Sequence, residues 1–197
     1  MLDLKPIIHE ILKGYSLPPQ NVHGVAHWAR VLENGLRLAE AIRVNVEVVQ
    51  LFAVFHDCQR LTVRTDHLHG LRGAKLAAKL RGKLFDLNDD DFDLLFVACS
   101  GHMDRRTDED PTVQTCWDAD RLDLGRVGIR IDPFWLGEAT IEECSPIVEW
   151  ADERANEQTI PELIRREWGI RTDRWQQKAG IERRRKVPVA SGSYMRV

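Results

Sequence analysis

An all-α fold, a single-domain helical bundle, is what this 197-residue sequence predicts, and three observations carry the prediction. Apolar residues recur three and four positions apart in one segment after another, the spacing that gives a helix an apolar face. No stretch alternates apolar and polar residues at the period of two that a half-buried strand requires. Breakers such as Pro18-Pro19, Pro111 and Pro133 stand between the periodic segments. No internal repeat is present, and the length suits one domain with a sizeable core.

Residues 4–14 open with a helix, through Ile7, Ile8, Ile11 and Leu12, that stops at Gly14; Pro18 and Pro19 then make a loop. From Val22 to about Ile42, Val25, Trp28, Val31, Leu32, Leu36, Leu38 and Ala39 predict a long amphipathic helix carrying His23 and His27. Residues 46–57 are apolar on nearly every side from Val48 to Phe55 and end in His56-Asp57. Such a run is buried, so it delivers an imidazole and a carboxylate to the interior, where a metal ion would offset their desolvation. Its β-branched residues would suit a strand, but its length and helical neighbours favour a helix.

Polar residues 58–68 predict a loop, and residues 69–84 a helix through Leu71, Ala74, Leu76, Ala77 and Leu80, with Gly73 where a neighbouring backbone comes close. Asn88 caps a helix over 89–101, whose first turn holds Asp89, Asp90 and Asp91, and which runs into His102. After a charged loop at 103–110, Pro111 restarts a helix through Val113, Cys116, Ala119 and Leu122. Gly125, Gly128, Asp132 and Pro133 mark an irregular segment, and residues 141–158 and 161–168 predict two further helices. The expected organisation is a helical domain over 1–179, its core at 20–130 with 141–168 packed on it, followed by a flexible basic tail at 180–197.

With 43% hydrophobic and 30% charged residues, the composition is that of an ordinary globular domain. No apolar run approaches the ~20 residues that span a bilayer, and residues 1–12 lack the basic, apolar and small regions of a signal peptide. The expectation is a cytoplasmic protein with no membrane partner. Cys58, Cys99, Cys116 and Cys144 form no C-x-x-C pair, which predicts buried thiols rather than a disulfide framework or a thiolate zinc site. The tail carries Arg183, Arg184, Arg185, Lys186 and Arg196 against Glu182, so the rest of a chain of formal charge −3 is acidic. An acidic body argues against a strong nucleic-acid surface.

Of the seven histidines, His27, His56, His69 and His102 fall on helices or at their ends, and Asp57, Asp118 and Asp120 supply carboxylates. Such a set satisfies one or two divalent ions. At this point the residues resemble a family. His27-Trp28-Ala29-Arg30-Val31 looks like the H-x-x-R-V of the HD-domain metal-dependent phosphohydrolases, His56-Asp57 like the doublet that names them, and Ala119-Asp120-Arg121-Leu122 like their closing A-D-x-L. The resemblance spans roughly residues 20–130.

That resemblance implies a helical bundle in which His27, His56, Asp57 and Asp120 hold one metal, with Asp118 as the fallback for Asp120. Asp118 and Asp123 read as solvated or capping carboxylates. In two-metal members further histidines lie between the doublet and the closing Asp, a place held here by His69 and His102, and Asp57 would bridge. The cofactor is then one or two of manganese, iron, cobalt, nickel or zinc, with magnesium admissible. A divalent cation lowers the pKa of its bound water towards ~7, so the implied activity is hydrolysis of a phosphate ester by metal-bound hydroxide. Asp57 and Arg60 are the catalytic candidates, and Arg60, Arg72 and Arg105 the residues that would grip a phosphate, with Arg64 and Arg106 close by in sequence. His23 reads as a support for His27 or part of the pocket rim, His9 and His67 as surface or packing residues, and Trp28 and Trp117 as core.

The expected partner is a small phosphorylated substrate, a nucleotide foremost, and a homodimer is permitted. Departures limit what transfers. Cys58-Gln59-Arg60 stands where some family nucleotidases carry an acidic residue, Asp123-Leu124-Gly125 does not continue the pattern of the (p)ppGpp hydrolases, and the G-Y-P signature of cyclic-dinucleotide phosphodiesterases is absent. The sequence looks most like the small stand-alone bacterial HD proteins. Two other readings share the ligand order: an HD-fold diiron oxygenase of the myo-inositol oxygenase kind, and a non-catalytic module that binds a nucleotide or a protein.

Overall fold

The computed structural model describes residues 2–173 and 175; the basic tail lies outside the described residues. The chain folds as helices α1 (Lys5–Lys13), α2 (Val25–Ala41), α3 (Val46–Phe55), α4 (His69–Leu80), α5 (Asp89–Gly101), α6 (Pro111–Arg121), α7 (Glu138–Glu143), α8 (Ser145–Glu157) and α9 (Leu163–Arg166). Two short 3-10 turns, Leu124–Val127 and Pro133–Trp135, fill the irregular segment after α6. Among the described residues there is no strand, only an isolated bridge between Arg81 and Phe85. The fold is all-α, and no described helix is long and apolar enough to cross a membrane.

Helix α3 is the axis. Every residue from Val48 to Phe55 is buried, and α2, α4, α5 and α6 pack around it. Its start is set by Asn45, whose side chain accepts from the backbone N–H groups of Glu47 and Val48. Asn88 likewise caps α5 by accepting from Asp91 N at 2.9 Å, and Asp110 caps α6 by accepting from Thr112 and Val113. Trp28 and Trp117 are wholly buried in the core, with their indole N–H groups donating to His23 O and Ala98 O, both at 2.9 Å. All four cysteines are free and buried.

Several boundaries differ from expectation. Helix α2 begins at Val25, because Gly24 is extended and packs against the Pro19 carbonyl so closely that an added Cβ would lie 2.2 Å from its oxygen. His23 therefore precedes the helix instead of sharing a face with His27. Helix α4 ends at Leu80, where Gly82 adopts φ +73°. The expected helix over 141–158 breaks at Cys144, since Pro146 in the first turn of α8 has no N–H to continue a preceding turn. Helix α8 docks on α2 through Trp150, which lies between the guanidinium groups of Arg37 and Arg154.

Two glycines of α4 bring it against the ends of its neighbours. A Cβ on Gly73 would lie 2.1 Å from Phe55 O, and one on Gly70 2.1 Å from Cys99 O. The close backbone approach expected at Gly73 is present, and it seats the start of α4 against the C-terminal ends of α3 and α5.

Candidate metal centre

His27 comes from the first turns of α2, His56 and Asp57 from the end of α3, His69 from the start of α4, His102 from the end of α5, and Asp120 from the last turn of α6. The four imidazoles and Asp57 are buried. The cluster comes nearest solvent at Asp120 and the approaching His23, whose side chains keep 14% and 11% of their exposure.

The donor atoms form two groups that share Asp57. In the first, His27 Nε2 lies 2.9 Å from His56 Nε2, 3.5 Å from Asp57 Oδ2 and 3.4 Å from Asp120 Oδ1; His56 Nε2 is 3.7 Å from the same Asp120 oxygen. In the second, Asp57 Oδ1 lies 2.8 Å from His69 Nε2 and 3.9 Å from His102 Nε2, and the two ring nitrogens are 2.9 Å apart. Ligands about 2.0–2.1 Å from one ion sit roughly 3 Å from each other, so both groups have the spacing of a coordination shell.

The tautomers explain why these contacts need a cation. His56 Nδ1–H donates to Phe52 O at 3.1 Å, His102 Nδ1–H to Cys99 O at 2.8 Å and His69 Nδ1–H to Asp66 O, while His27 Nδ1–H donates to Asp123 Oδ2 at 2.7 Å. With every Nδ1 protonated, every Nε2 presents a lone pair. Two lone pairs 2.9 Å apart cannot hydrogen-bond to one another. Asp120 Oδ1 is also buried with no hydrogen-bond partner. Inward-facing lone pairs and an orphaned carboxylate oxygen are what a divalent cation satisfies, so the residues fit a metal.

Electrostatics agree. Burial pushes His102 down to about 4, and burial likewise lowers His27 and His56 below the usual imidazole value, which keeps the rings neutral and ready to ligate. Burial alone would raise Asp120, but the charges around it, the Arg126 guanidinium among them, outweigh it and hold the carboxyl at about 2; the carboxyl of Asp57 is likewise held low despite its burial.

Asp118 and Asp120 face opposite ways. Asp118 accepts from Gly137 N at 3.0 Å, Thr140 Oγ1 at 2.6 Å and Gln114 Nε2 at 2.7 Å, pinning the start of α7 to α6. The expectation of a solvated carboxylate is corrected for Asp118 and Asp123, because both are fully buried, whereas the bond from Gly137 N gives Asp118 a capping part at the start of α7. Asp123 grips Arg30 through both oxygens, at 2.6 and 2.9 Å, while accepting from His27. This pair orients His27, and Arg30 within the H-x-x-R-V motif was the signal for it: a guanidinium on the buried face of a helix requires a buried anion. His23 does not support His27; its Nδ1 lies 2.9 Å from Asp57 Oδ2. Arg126, which sequence reasoning passed over, is held by Val22 O and Asp123 O and turns Nη2 to within 3.9 Å of Asp120 Oδ1.

The arginines nominated for phosphate fall in different places. Arg60 is buried against Asp57 and His69, its Nη1 3.1 Å from an atom of each. Arg72 donates to Gln59 O and Asp66 Oδ2, bracing the loop after the doublet, and Arg64 is exposed. Arg105 is mostly exposed, 3.8 Å from Asp108, and Arg106 covers the Phe134 ring. His9 and His67 lie at the surface.

Among family models, that of the HD domain matches residues 24–157, which extends past the motifs to the end of α8. No curated protein and no solved structure matches the chain.

Proposed function

Because the chain belongs to the HD-domain family, we propose that it is a metal-dependent phosphohydrolase that cleaves a phosphate ester of a nucleotide or another small molecule. The observation that carries this reading is the set of buried lone pairs turned on one another, with Asp57 sending one oxygen to each group. A divalent ion bound there would acidify water and neutralise charge on the phosphoryl oxygens. His27, His56, Asp57 and Asp120 would hold one ion, and Asp57, His69 and His102 a second.

The chain's own contribution is position and charge. Asp123 and the backbone carbonyls fix the rings before any ligand arrives, so little reorganisation is needed on binding. Arg126 Nη2, close to Asp120 at the edge nearest solvent, is placed to donate to a phosphoryl oxygen. Leu68 and Met103, each next in sequence to a cluster histidine, are 60% and 44% exposed and offer apolar surface to a base.

The test loads metal-free protein with Mn²⁺, Co²⁺ or Ni²⁺ and follows hydrolysis of phosphomonoesters, deoxynucleoside triphosphates and cyclic nucleotides. Turnover of one class is expected; a metal-loaded protein inert towards all of them would refute the reading. A carboxylate flanked by four imidazoles would also suit a pair of iron ions, and iron retained after aerobic purification with oxygen-dependent substrate loss would favour an oxygenase instead.

A further inference from the structure

Resting on the metal-centre reading, we propose that Arg60 is a built-in cation of the second ligand group, so that an ion enters there only when its guanidinium withdraws. Arg60 Nη1 lies 3.1 Å from Asp57 Oδ1 and 3.1 Å from His69 Nε2, two of the three atoms that would hold that ion. The side chain is buried, and its other nitrogens donate to Arg64 O at 2.9 Å and Thr62 O at 3.4 Å.

The argument turns on His69. Its Nδ1–H is bound to Asp66 O, so Nε2 carries the ring's one in-plane lone pair. One lone pair accepts an N–H or ligates a metal, not both. Arg60 and a second ion therefore exclude each other at His69, whatever Asp57 does with its remaining lone pairs.

No guanidinium enters the first group, where the one close neighbour of a donor atom is His23 Nδ1, 2.9 Å from Asp57 Oδ2, an oxygen that keeps a further lone pair. Asp120 Oδ1 accepts no hydrogen bond, and the guanidinium nearest to it, that of Arg126, stops 3.9 Å away. The two groups are thus unequal before any metal arrives: one has orphaned donors, the other is partly satisfied by an internal positive charge. Loading is stepwise, and the loop at 58–68 senses it, because the carbonyls that hold Arg60 belong to Thr62 and Arg64 and the carbonyl that holds His69 belongs to Asp66. Once displaced, the guanidinium presents a planar set of donors beside the site, which fits a phosphoryl group.

The experiment titrates Mn²⁺ into the metal-free full chain, by calorimetry and by electron paramagnetic resonance, which separates isolated from coupled ions. Wild type is expected to bind one equivalent tightly with an isolated-ion spectrum, and a second more weakly. Arg60→Gln should tighten the second equivalent roughly 10- to 100-fold, the factor that charge-assisted hydrogen bonds represent, and leave the first unchanged. Arg60→Lys, which keeps a cation, should tighten it less. Two equivalents of equal affinity in wild type would overturn the proposal, and that arm needs no variant to fold. So would a folded Arg60→Gln protein, checked by its melting curve, whose second equivalent is no tighter. If wild type binds no divalent ion at all, the metal-centre reading itself falls and takes this one with it.

Discussion

Gly73→Ala sets two effects of opposite sign against each other. Intrinsic propensity favours alanine over glycine in a helix interior by about 1 kcal/mol. Here the new Cβ would lie 2.1 Å from Phe55 O, whereas real Cβ contacts stay beyond 3.0 Å, so one backbone must retreat by 0.9 Å, the difference between them. Helix α3 is held by α2, α5 and α6, and α4 is held in turn by α5, so neither backbone retreats without cost. Overpacking costs about 1–3 kcal/mol, and no rotamer change moves a carbonyl, so the clash lies at the upper end and wins by about 1–2 kcal/mol. For a chain of this size that lowers Tm by about 2–8 °C. Helix α4 also carries His69, 2.8 Å from Asp57 Oδ1, and ligand distances tolerate only about 0.2 Å. Circular dichroism melting of the metal-free variant, with manganese content at saturation, is the assay. A lower Tm, loss of the second equivalent and retention of the first are expected. A Tm that rises with both equivalents still bound would refute the close approach and the dependence of the second ligand group on it.

The two neighbouring aspartates should separate cleanly: Asp120→Asn abolishes tight binding of the first ion, while Asp118→Asn leaves metal stoichiometry intact and lowers Tm by releasing α7. Asp118→Asn protein that loses metal on elemental analysis would reverse their roles. Asp123→Asn should weaken manganese binding about 10- to 100-fold, because His27 loses its orienting anion, and should cost about 3–5 kcal/mol of stability by leaving Arg30 buried without its partner. Calorimetry showing unchanged affinity would mean that His27 needs no such support. Metal-free protein should lose stability as pH falls from about 6.5 towards 4. His102 is protonated near 6.5 when unfolded but only near 4 when folded, so the unfolded state binds the proton first and is favoured throughout that window. His102 alone accounts for about 3 kcal/mol, His27 and His56 act in the same direction, and the lowered carboxyls of Asp57 and Asp120 extend the loss below pH 4. Urea denaturation giving the same stability at pH 7 and pH 4.5 would contradict this.

The helices were legible where burial imposes a period. Helix α3 was the clearest, since eight buried residues in succession leave no other reading, and its terminal His56-Asp57 pointed directly at the interior. The same logic located His69 and His102 at helix ends, whereas Asp120 was preferred to Asp118 through its match to the A-D-x-L motif and not through any period. What stayed hidden depends on partners far apart in the chain. Arg30 and Asp123 are separated by 93 positions, and an ion pair of that kind leaves no periodic trace, so Asp123 looked like an ordinary polar residue beside an irregular turn. Arg126 was obscured for the same reason, its anchor Val22 O lying 104 positions away. Two helix boundaries follow from local residues outside the apolar period: Gly24 before α2, and Pro146 at the start of α8.

Three of the four imidazoles take their orientation from main-chain carbonyls, those of Phe52, Asp66 and Cys99, and only His27 leans on a side chain. Point mutation can delete a carboxylate but not a peptide oxygen. Under sequence drift, three rings would keep their tautomer for as long as the backbone of α3, α5 and the loop before α4 persists, and evolutionary retuning of the donor set would concentrate on the single ring whose prop is itself heritable and replaceable.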